Sequence, residues 1–369
     1  MMRRRDVLVG LGALSIVGCG QQGGALSAEP RTPQEPAPDP LAGGGVAPTS
    51  APAPTSEAPA APASSPAGSG TVVPGVSRGP RAPRVAFGGA GLGQLRQDSL
   101  RIWSTDGRYV DHPLQRASGI GVLPDNTMVA IGMRDDRGVA LIVGPDGAVE
   151  SHPVILLATG APISVLADPK DAGAFWVVEE DRRVAERRLR VEAFGELDIS
   201  DRVELDNQDD RAVAALSSGL VFHDLDRFHV VDLKGRERLV PWKPADRVAS
   251  LVPGPKAGTV WALTYDGVVS LVDLSAGTVR QRFTTPPTAL DLAADAAGVA
   301  VLSATWTQRE SWRWTLTVLD AKGALVFTAG EPGAAPKGVA LSADAVAVGD
   351  ATRLRVWERA SGQERTRDG

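Results

Sequence analysis

The chain has 369 residues, of which 43% are hydrophobic and 22% charged, and its formal net charge at pH 7 is -5. This composition can build a sizeable core. The negative charge argues against a nucleic-acid-binding protein, which would carry a strongly basic face. Because Cys19 is the single cysteine, a disulfide within the folded part and a thiolate metal site are excluded.

The first 19 residues have the pattern of an export signal. Three arginines at positions 3–5 precede an apolar stretch at residues 7–18. As a helix, that stretch would span roughly 18 Å, well short of the ~30 Å hydrocarbon core of a bilayer. The pattern therefore predicts a signal peptide over residues 1–18 rather than a membrane-spanning helix.

Residues 16–19 (IVGC) resemble a bacterial lipobox. The resemblance implies that a diacylglyceryl group is attached to the thiol of Cys19 and that a peptidase cuts just before it. A simple signal peptide with an incidental cysteine is the alternative. Arg4 and Arg5, followed by Asp-Val-Leu, also resemble a twin-arginine export signal, and ordinary Sec export stays open beside it.

Residues 19–80 form the second predicted segment, a lipidated cysteine followed by a tether. Thirteen of the chain's 28 prolines lie in residues 20–80, mixed with Ala, Gly, Ser and Thr. Such a composition buries too little apolar area to offset the entropy of ordering, so it predicts disorder with polyproline character. Because Gly20 rather than aspartate follows the cysteine, resemblance to enterobacterial lipoproteins favours the outer membrane over the inner membrane.

Residues 81–369 contain a repeat of about 42 residues. A turn glycine recurs at positions 107, 147, 195, 235, 277, 323 and 362, with spacings of 40, 48, 40, 42, 46 and 39 residues. Three short apolar runs precede most of these glycines and a more polar run follows, which predicts four strands in each repeat. This is the period of a β-propeller blade, and it predicts an all-β chain with a single propeller of seven four-stranded blades.

The first repeat shows three clear strands, so its innermost strand has to come from residues 71–77 or from a different ring closure. Residues 269–283 (VSLVDLSAGTVRQRF) resemble the YVTN and PQQ-like propeller repeats, and residues 354–366 (LRVWERASGQERT) resemble the end of a WD40 blade. The matched residues serve turns and packing, so the resemblance implies a fold and little chemistry.

Candidate chemical sites are few. The glycine-rich stretch 88–93 suggests nucleotide binding, but the third glycine of G-x-G-x-x-G falls on Gln94, which favours a hairpin turn between the second and third strands of the first blade. His223 and His229 flank a predicted turn and can face each other, yet a structural zinc site needs four ligands. Residues 206–210 (DNQDD) resemble a calcium loop in composition alone. We predict no metal site and no cofactor.

Two predicted hairpins, at residues 179–188 and 306–314, are longer than the others and should project from the same rim. If the second turns at residues 309–310, Trp306 pairs with Arg313 on one face in the geometry of a cation–π contact, while Trp312 and Trp314 share the other face. Trp and Arg are the residue types most enriched at binding hot spots. These four residues are therefore the candidate partner-binding residues. The alternative is that the tryptophans cover blade edges.

The sequence predicts a membrane-anchored, non-catalytic binding or scaffold module of the bacterial cell envelope, which presents one rim to a protein partner. The competing hypothesis is a propeller enzyme or small-ligand sensor, quinoprotein-like or lactonase-like, that uses the central channel. That alternative needs several convergent Asp, Glu, Asn or His side chains in the channel lining.

Overall fold

The computed structural model describes residues 84–154, 163–171, 173–179, 184–190, 197–204, 212–224, 227–307, 311–333, 335–350 and 352–368. All described residues belong to the unit formed by residues 70–369. These residues form β-strands, turns and bends but no helix. Within the same ranges, no helix has the length and apolar character needed to cross a lipid bilayer.

The described strands assemble into seven four-stranded antiparallel sheets, each with its strands in chain order. Sheet 1 contains β1 (Val85–Gly88), β2 (Gly91–Leu95), β3 (Ser99–Trp103) and β4 (Tyr109–Pro113). Sheet 2 contains β5 (Gln115–Val122), β6 (Met128–Arg134), β7 (Arg137–Val143) and β8 (Val149–Pro153). Sheet 3 contains β9 (Ile163–Ala167), β10 (Ala174–Glu179), β11 (Val184–Arg190) and β12 (Leu197–Glu204).

The remaining four sheets repeat this order. Sheet 4 contains β13 (Val213–Leu216), β14 (Gly219–Asp224), β15 (Arg227–Asp232) and β16 (Glu237–Val240). Sheet 5 contains β17 (Val248–Pro253), β18 (Thr259–Thr264), β19 (Val268–Asp273) and β20 (Thr278–Thr284). Sheet 6 contains β21 (Ala289–Asp295), β22 (Gly298–Thr307), β23 (Ser311–Asp320) and β24 (Leu325–Pro332). Sheet 7 contains β25 (Gly338–Leu341), β26 (Ala345–Gly349), β27 (Leu354–Glu358) and β28 (Glu364–Asp368).

The burial of the strands follows the hydrophobic pattern of the sequence. Strands β18 and β26, the second strands of their sheets, are buried along their whole length. Strand β20, the outermost of sheet 5, is exposed at every position except Phe283. Inner strands are covered on both faces by neighbouring sheets, whereas the outermost strand is covered on one face at most. The prediction of an all-β chain built from four-stranded units is confirmed.

The turn glycines of the repeat lie where the sequence places them. Six of the seven are described, and each adopts a positive φ between 63° and 84° at the turn before the fourth strand of its sheet. This backbone region is open to glycine and costly for most other residues. Gly195, the seventh, lies outside the described residues.

The prediction for the first repeat was wrong about its innermost strand. Strand β1 supplies it, and the glycine-rich turn at residues 89–90 joins the first and second strands rather than the second and third. The strand that the pattern conceals is β2 (GLGQL), which begins inside the glycine-rich stretch predicted as a turn. Residues 71–77, the predicted alternative, lie outside the described residues.

Neighbouring sheets pack face to face through apolar clusters. The first strands contact one another in the order β1, β5, β9, β13, β17, β21, β25, and β25 contacts β1. We call the contact between sheets 7 and 1 the seam. Its buried cluster joins Val85 and Leu92 of sheet 1 to Ala347 and Leu354 of sheet 7. Both sheets are built from continuous stretches of chain, so side chains rather than a shared strand close the seam.

A hydrogen-bonded ion pair ties sheet 7 to sheet 6. The buried Arg359 guanidinium donates to both carboxylate oxygens of Asp295, at 2.5 and 2.8 Å, and to the carbonyl oxygen of Ser342 at 2.9 Å. Burial alone would raise the pKa of Asp295, but hydrogen bonds from Arg359 and a backbone N–H outweigh burial and hold that pKa below its ordinary value. The pair therefore stabilises the fold at neutral pH, and this contribution is lost as the pH falls through the lowered pKa.

Candidate functional site

The first strands of the seven sheets surround a cavity of about 460 Å³. Most of its lining consists of Ala, Val, Leu and Ile side chains. Among the lining residues that the structure describes, the polar side chains are those of Ser164, Ser250 and Asp291. Because every lining strand is the innermost of its sheet, this cavity is the place where a ligand of the channel would bind.

Asp291 links three neighbouring inner strands. Its carboxylate accepts a hydrogen bond from the Ser250 hydroxyl of β17 at 3.3 Å and another from the Val339 N–H of β25 at 3.0 Å. It also accepts a bond from the adjacent Leu292 N–H at 2.9 Å. Both oxygens of the carboxylate are therefore engaged in holding strands together, which is a structural role.

The channel offers few ligands for a metal ion. Within the described lining, Asp291 contributes the carboxylate and no histidine is present. Across the described ranges, no group of three or more His, Cys, Asp and Glu side chains is placed to hold a metal ion. A catalytic metal site typically takes three protein ligands.

The two histidines of sheet 4 do not face each other, contrary to the prediction. In the β14–β15 pairing, His229 is the partner of Phe222 and His223 is the partner of Phe228. Adjacent cross-strand pairs lie on opposite faces of a sheet, so the two imidazoles point apart. The His229 ring stacks on Phe222 with centroids 4.9 Å apart and is hydrogen-bonded to Glu237.

The sheet 6 hairpin has a different register from the predicted one. Thr307 pairs with Ser311, so three residues rather than two form its tip, and Trp306 pairs with Trp312 instead of Arg313. Arg313 pairs with Thr305. Changing the loop length by one residue shifts every cross-strand partner, so the predicted contact between Trp306 and Arg313 was wrong.

The four candidate binding residues differ in how deeply their side chains are buried. Trp314 is completely buried and packs in the core between sheets 6 and 7, with its ring centroid 6.2 Å from that of Trp357. Its inclusion in a partner site was wrong. Arg313 is exposed and Trp312 is half-buried. The side chain of Trp306 lies outside the described part of the structure.

The structure does not test the predictions for the other site residues. Cys19, Arg4 and Arg5 lie outside the described residues, as do residues 180–183 at the tip of the sheet 3 hairpin and the acidic stretch 206–210. Both hairpins join the second and third strands of their sheets, as predicted. The sheet 3 hairpin is not extended past its neighbours in the described residues, because β9 pairs as far as Glu179 and β12 as far as Val184. In a sheet whose strands follow chain order, such hairpins leave at the rim opposite the turns between the third and fourth strands.

Sequence reasoning missed an aromatic and cationic cluster on sheet 1. Trp103 and Tyr109 pair across β3 and β4 with ring centroids 4.8 Å apart. The Arg101 guanidinium lies 3.7 Å from the Tyr109 ring centroid and donates to both oxygens of Asp111, at 2.9 and 2.8 Å. These hydrogen bonds hold the pKa of Asp111 below its ordinary value. The sequence contains a signal for this cluster: R-x-W (residues 101–103) precedes the turn at Gly107 and Y-x-D (residues 109–111) follows it.

Comparison with known proteins identifies a similar fold but does not assign the chain to a family. No family model matches the chain, and no curated protein matches it. Among solved structures, it is similar to Kluyveromyces lactis Hsv2 with complete loop 6CD, at a TM-score of 0.51 and 11% identity. The alignment covers 77% of this chain and 97% of that one. The chain has a β-propeller-like fold. At this identity, the likeness extends to the fold alone.

Proposed function

We propose that this protein is an exported, lipid-anchored binding module of the bacterial cell envelope, with a seven-bladed propeller that presents one rim to a protein partner. The observation that carries the proposal is the extended hairpin of sheet 6. Strands β22 and β23 have ten residues each, the longest strands in the described part of the chain. The packing of the propeller does not require strands of this length.

The hairpin continues past both of its neighbouring strands. Strand β21 pairs with β22 as far as Ser303, and β24 pairs with β23 as far as Arg313. The segment after β24 still reaches Trp312, whose carbonyl oxygen accepts a hydrogen bond from the Gly333 N–H at 2.7 Å. The pair Thr307–Ser311 therefore extends about 3 Å past both neighbours before the tip is reached. A projecting hairpin that carries tryptophan and an exposed arginine has the composition of a binding hot spot.

The channel lining supports a binding role over the enzymatic alternative. Its described side chains are mostly aliphatic, and both oxygens of Asp291 accept hydrogen bonds from neighbouring strands. A general acid or a metal ligand has to face the substrate, and Asp291 instead joins three inner strands. This arrangement gives no support to quinoprotein-like or lactonase-like chemistry.

Replacing Trp312 and Arg313 with alanine is expected to weaken partner capture at least tenfold. Hot-spot side chains each contribute more than about 1–2 kcal/mol of binding free energy, and 1.4 kcal/mol corresponds to a factor of ten. The measurement is quantitative crosslinking in native membranes followed by co-purification. The matched control replaces Leu239 and Val279, two exposed apolar residues of outer strands, and should leave capture unchanged. Equal capture by both double variants would refute a partner site on this hairpin.

Replacing Cys19 with alanine is expected to abolish acyl labelling and to release the protein from membranes. Two acyl chains give stable anchoring, whereas a cleaved, unlipidated chain has no equivalent attachment. The measurements are incorporation of an alkyne fatty acid and fractionation after a high-salt wash. Ser27→Ala, a similar change beyond the cysteine, is the control and should stay in the membrane fraction. Retention of the Cys19→Ala variant in that fraction would rule out the lipid anchor.

A further inference from the structure

Three turn glycines pack against a ring of the preceding sheet. Gly277 lies against Pro241, Gly323 against Phe283, and Gly362 against Phe327. In each case a Cβ at the glycine would collide with atoms of the ring. The glycine leaves room, and a ring from the outer part of the neighbouring sheet fills it. This packing recurs at three successive junctions, 4–5, 5–6 and 6–7.

The seam lacks the corresponding ring. Gly107 is the turn glycine of sheet 1, and no atom lies within 4 Å of where its Cβ would stand. In sheet 6, Phe327 is opposite Val318, next to a register shift. In sheet 7 the same register position, opposite Val356 and next to the equivalent shift, is occupied by Thr366. At this register position the sequence therefore has a threonine in sheet 7 and a phenylalanine in sheet 6.

A cavity of about 360 Å³ opens at this place, which we call the seam groove. Its apolar walls are formed by Phe87, Leu92 and Trp103 of sheet 1 and by Leu354 and Val356 of sheet 7. Gly147 and Gly235 also have open space at their Cβ positions, but at Gly107 the space is part of a cavity with the volume typical of ligand pockets.

We propose that the seam groove binds a phenylalanine side chain on an extended segment of a protein partner. The ring would take the place that Phe327 fills at the neighbouring junction 6–7, and it would extend the buried cluster between sheets 1 and 7 outward. This site is on the rim opposite the sheet 6 hairpin, so it is a second binding surface and does not depend on the first.

The charges around the groove fit a neutral segment. Arg365 is paired with Glu358 at 2.9 Å and lies 3.6 Å from Asp344, and Arg108 is paired with Asp106 at 3.3 Å. Because the nearby cations already have carboxylate partners, a charged peptide gains little there. Tyr109 is 50% exposed beside Trp103 and continues the apolar wall outward, where a residue flanking the phenylalanine would lie.

The test uses the full chain carrying Cys19→Ala, so that no detergent is needed. The probe is acetyl-Ala-Phe-Ala-amide, with acetyl-Ala-Ala-Ala-amide as its matched control, and binding is measured by saturation-transfer NMR. We expect a Kd on the order of 1 mM for the phenylalanine peptide, as befits a ligand this small, and no saturation transfer to the alanine peptide. Addition of Trp312→Ala should leave this Kd unchanged, so failure here and failure at the hairpin can be told apart.

Thr366→Phe supplies the missing ring from the chain itself and is expected to weaken peptide binding at least tenfold. Thr278→Phe makes the same change on an exposed position of β20 and should have no effect. A thermal melt checks that both variants fold. If Thr366→Phe does not fold, a benzoylphenylalanine version of the probe should crosslink to residues 103–109 or 354–366, as located by mass spectrometry.

Three results would overturn the proposal. The phenylalanine peptide could fail to bind at about 10 mM, ten times the expected Kd. It could bind Thr366→Phe as tightly as the parent, or it could crosslink elsewhere. A concentration-dependent dimer that Thr366→Phe abolishes in sedimentation velocity would identify a second copy of this chain as the occupant in place of a partner peptide.

Discussion

Gln94→Glu is expected to lower the free energy of unfolding by about 3–5 kcal/mol at pH 7, because it buries an unpaired charge at the seam. Gln94 is completely buried. Its Nε2 donates to the carbonyl oxygens of Asp350 and Arg353 in sheet 7, at 2.9 and 3.1 Å. A carboxylate at this position has no proton to donate and faces two carbonyl oxygens. Guanidinium denaturation of the two proteins gives the difference.

The pH dependence of this loss identifies its cause. Burial raises the pKa of the introduced carboxyl group above its value in the unfolded chain. The stability difference from the parent should therefore be smallest below about pH 4, where the acid is protonated in both states, and should grow as the pH rises through the raised pKa. A difference that does not change between pH 4 and pH 8 would show that the effect is steric rather than electrostatic.

Gln281→Glu is the matched control. The Gln281 amide also reaches a carbonyl oxygen of the next sheet, that of Ala321 at 3.3 Å, but the residue is exposed. Substitutions at exposed positions change stability by about 0.5 kcal/mol or less. If Gln281→Glu destabilised the protein as much as Gln94→Glu, burial at the seam would not be the determining factor.

Trp314→Ala is expected to destabilise the protein by about 3–5 kcal/mol, the usual cost of removing a large buried aromatic side chain. The indole packs against Trp357, and the Arg355 guanidinium lies 5.6 Å from its ring centroid. Its Nε1 has no hydrogen-bond partner among the described residues. Phenylalanine at this position therefore loses volume without losing a hydrogen bond. Chemical denaturation of both variants, alanine and phenylalanine, measures the two costs.

Trp312→Ala provides the comparison for Trp314→Ala. Trp312 is two residues away but half-buried near the tip of the hairpin, so we expect a loss of about 1 kcal/mol or less. Trp314→Phe should fall between the two alanine variants. Equal losses for both alanine variants would contradict the assignment of Trp314 to the core between sheets 6 and 7 and of Trp312 to the rim.

The repeat was predictable because turn chemistry has a strong local signature. Gly277 and Gly323 stand at turns that need a positive φ, and the apolar runs before them are long enough to indicate strands. Strand β2 was missed because it begins inside the glycine-rich stretch 88–93, which the sequence predicts as a turn. Local patterns therefore predicted the sheets but not the strand that completes sheet 1.

The candidate site was harder to predict because it depends on register. One extra residue at the tip of the sheet 6 hairpin exchanges the partner of Trp306, and the alternation of faces separates His223 from His229. The seam groove at Gly107 was found by comparing junctions between sheets: Thr366 of sheet 7 has the register position of Phe327 in sheet 6. The sequence contains that difference, but its meaning depends on knowing which strands are opposite.

The seam also constrains when the folded state can be completed during synthesis. Gln94 and its acceptors at Asp350 and Arg353 are separated by 256 and 259 positions along the chain. The amide group of Gln94 therefore stays without these acceptors until residues 350–353 have left the ribosome. Because closing contacts between distant residues carries a large entropic cost, joining the two ends should be among the last steps of folding. Until then, Val85 and Leu92 lack the apolar partners that sheet 7 gives them in the folded state.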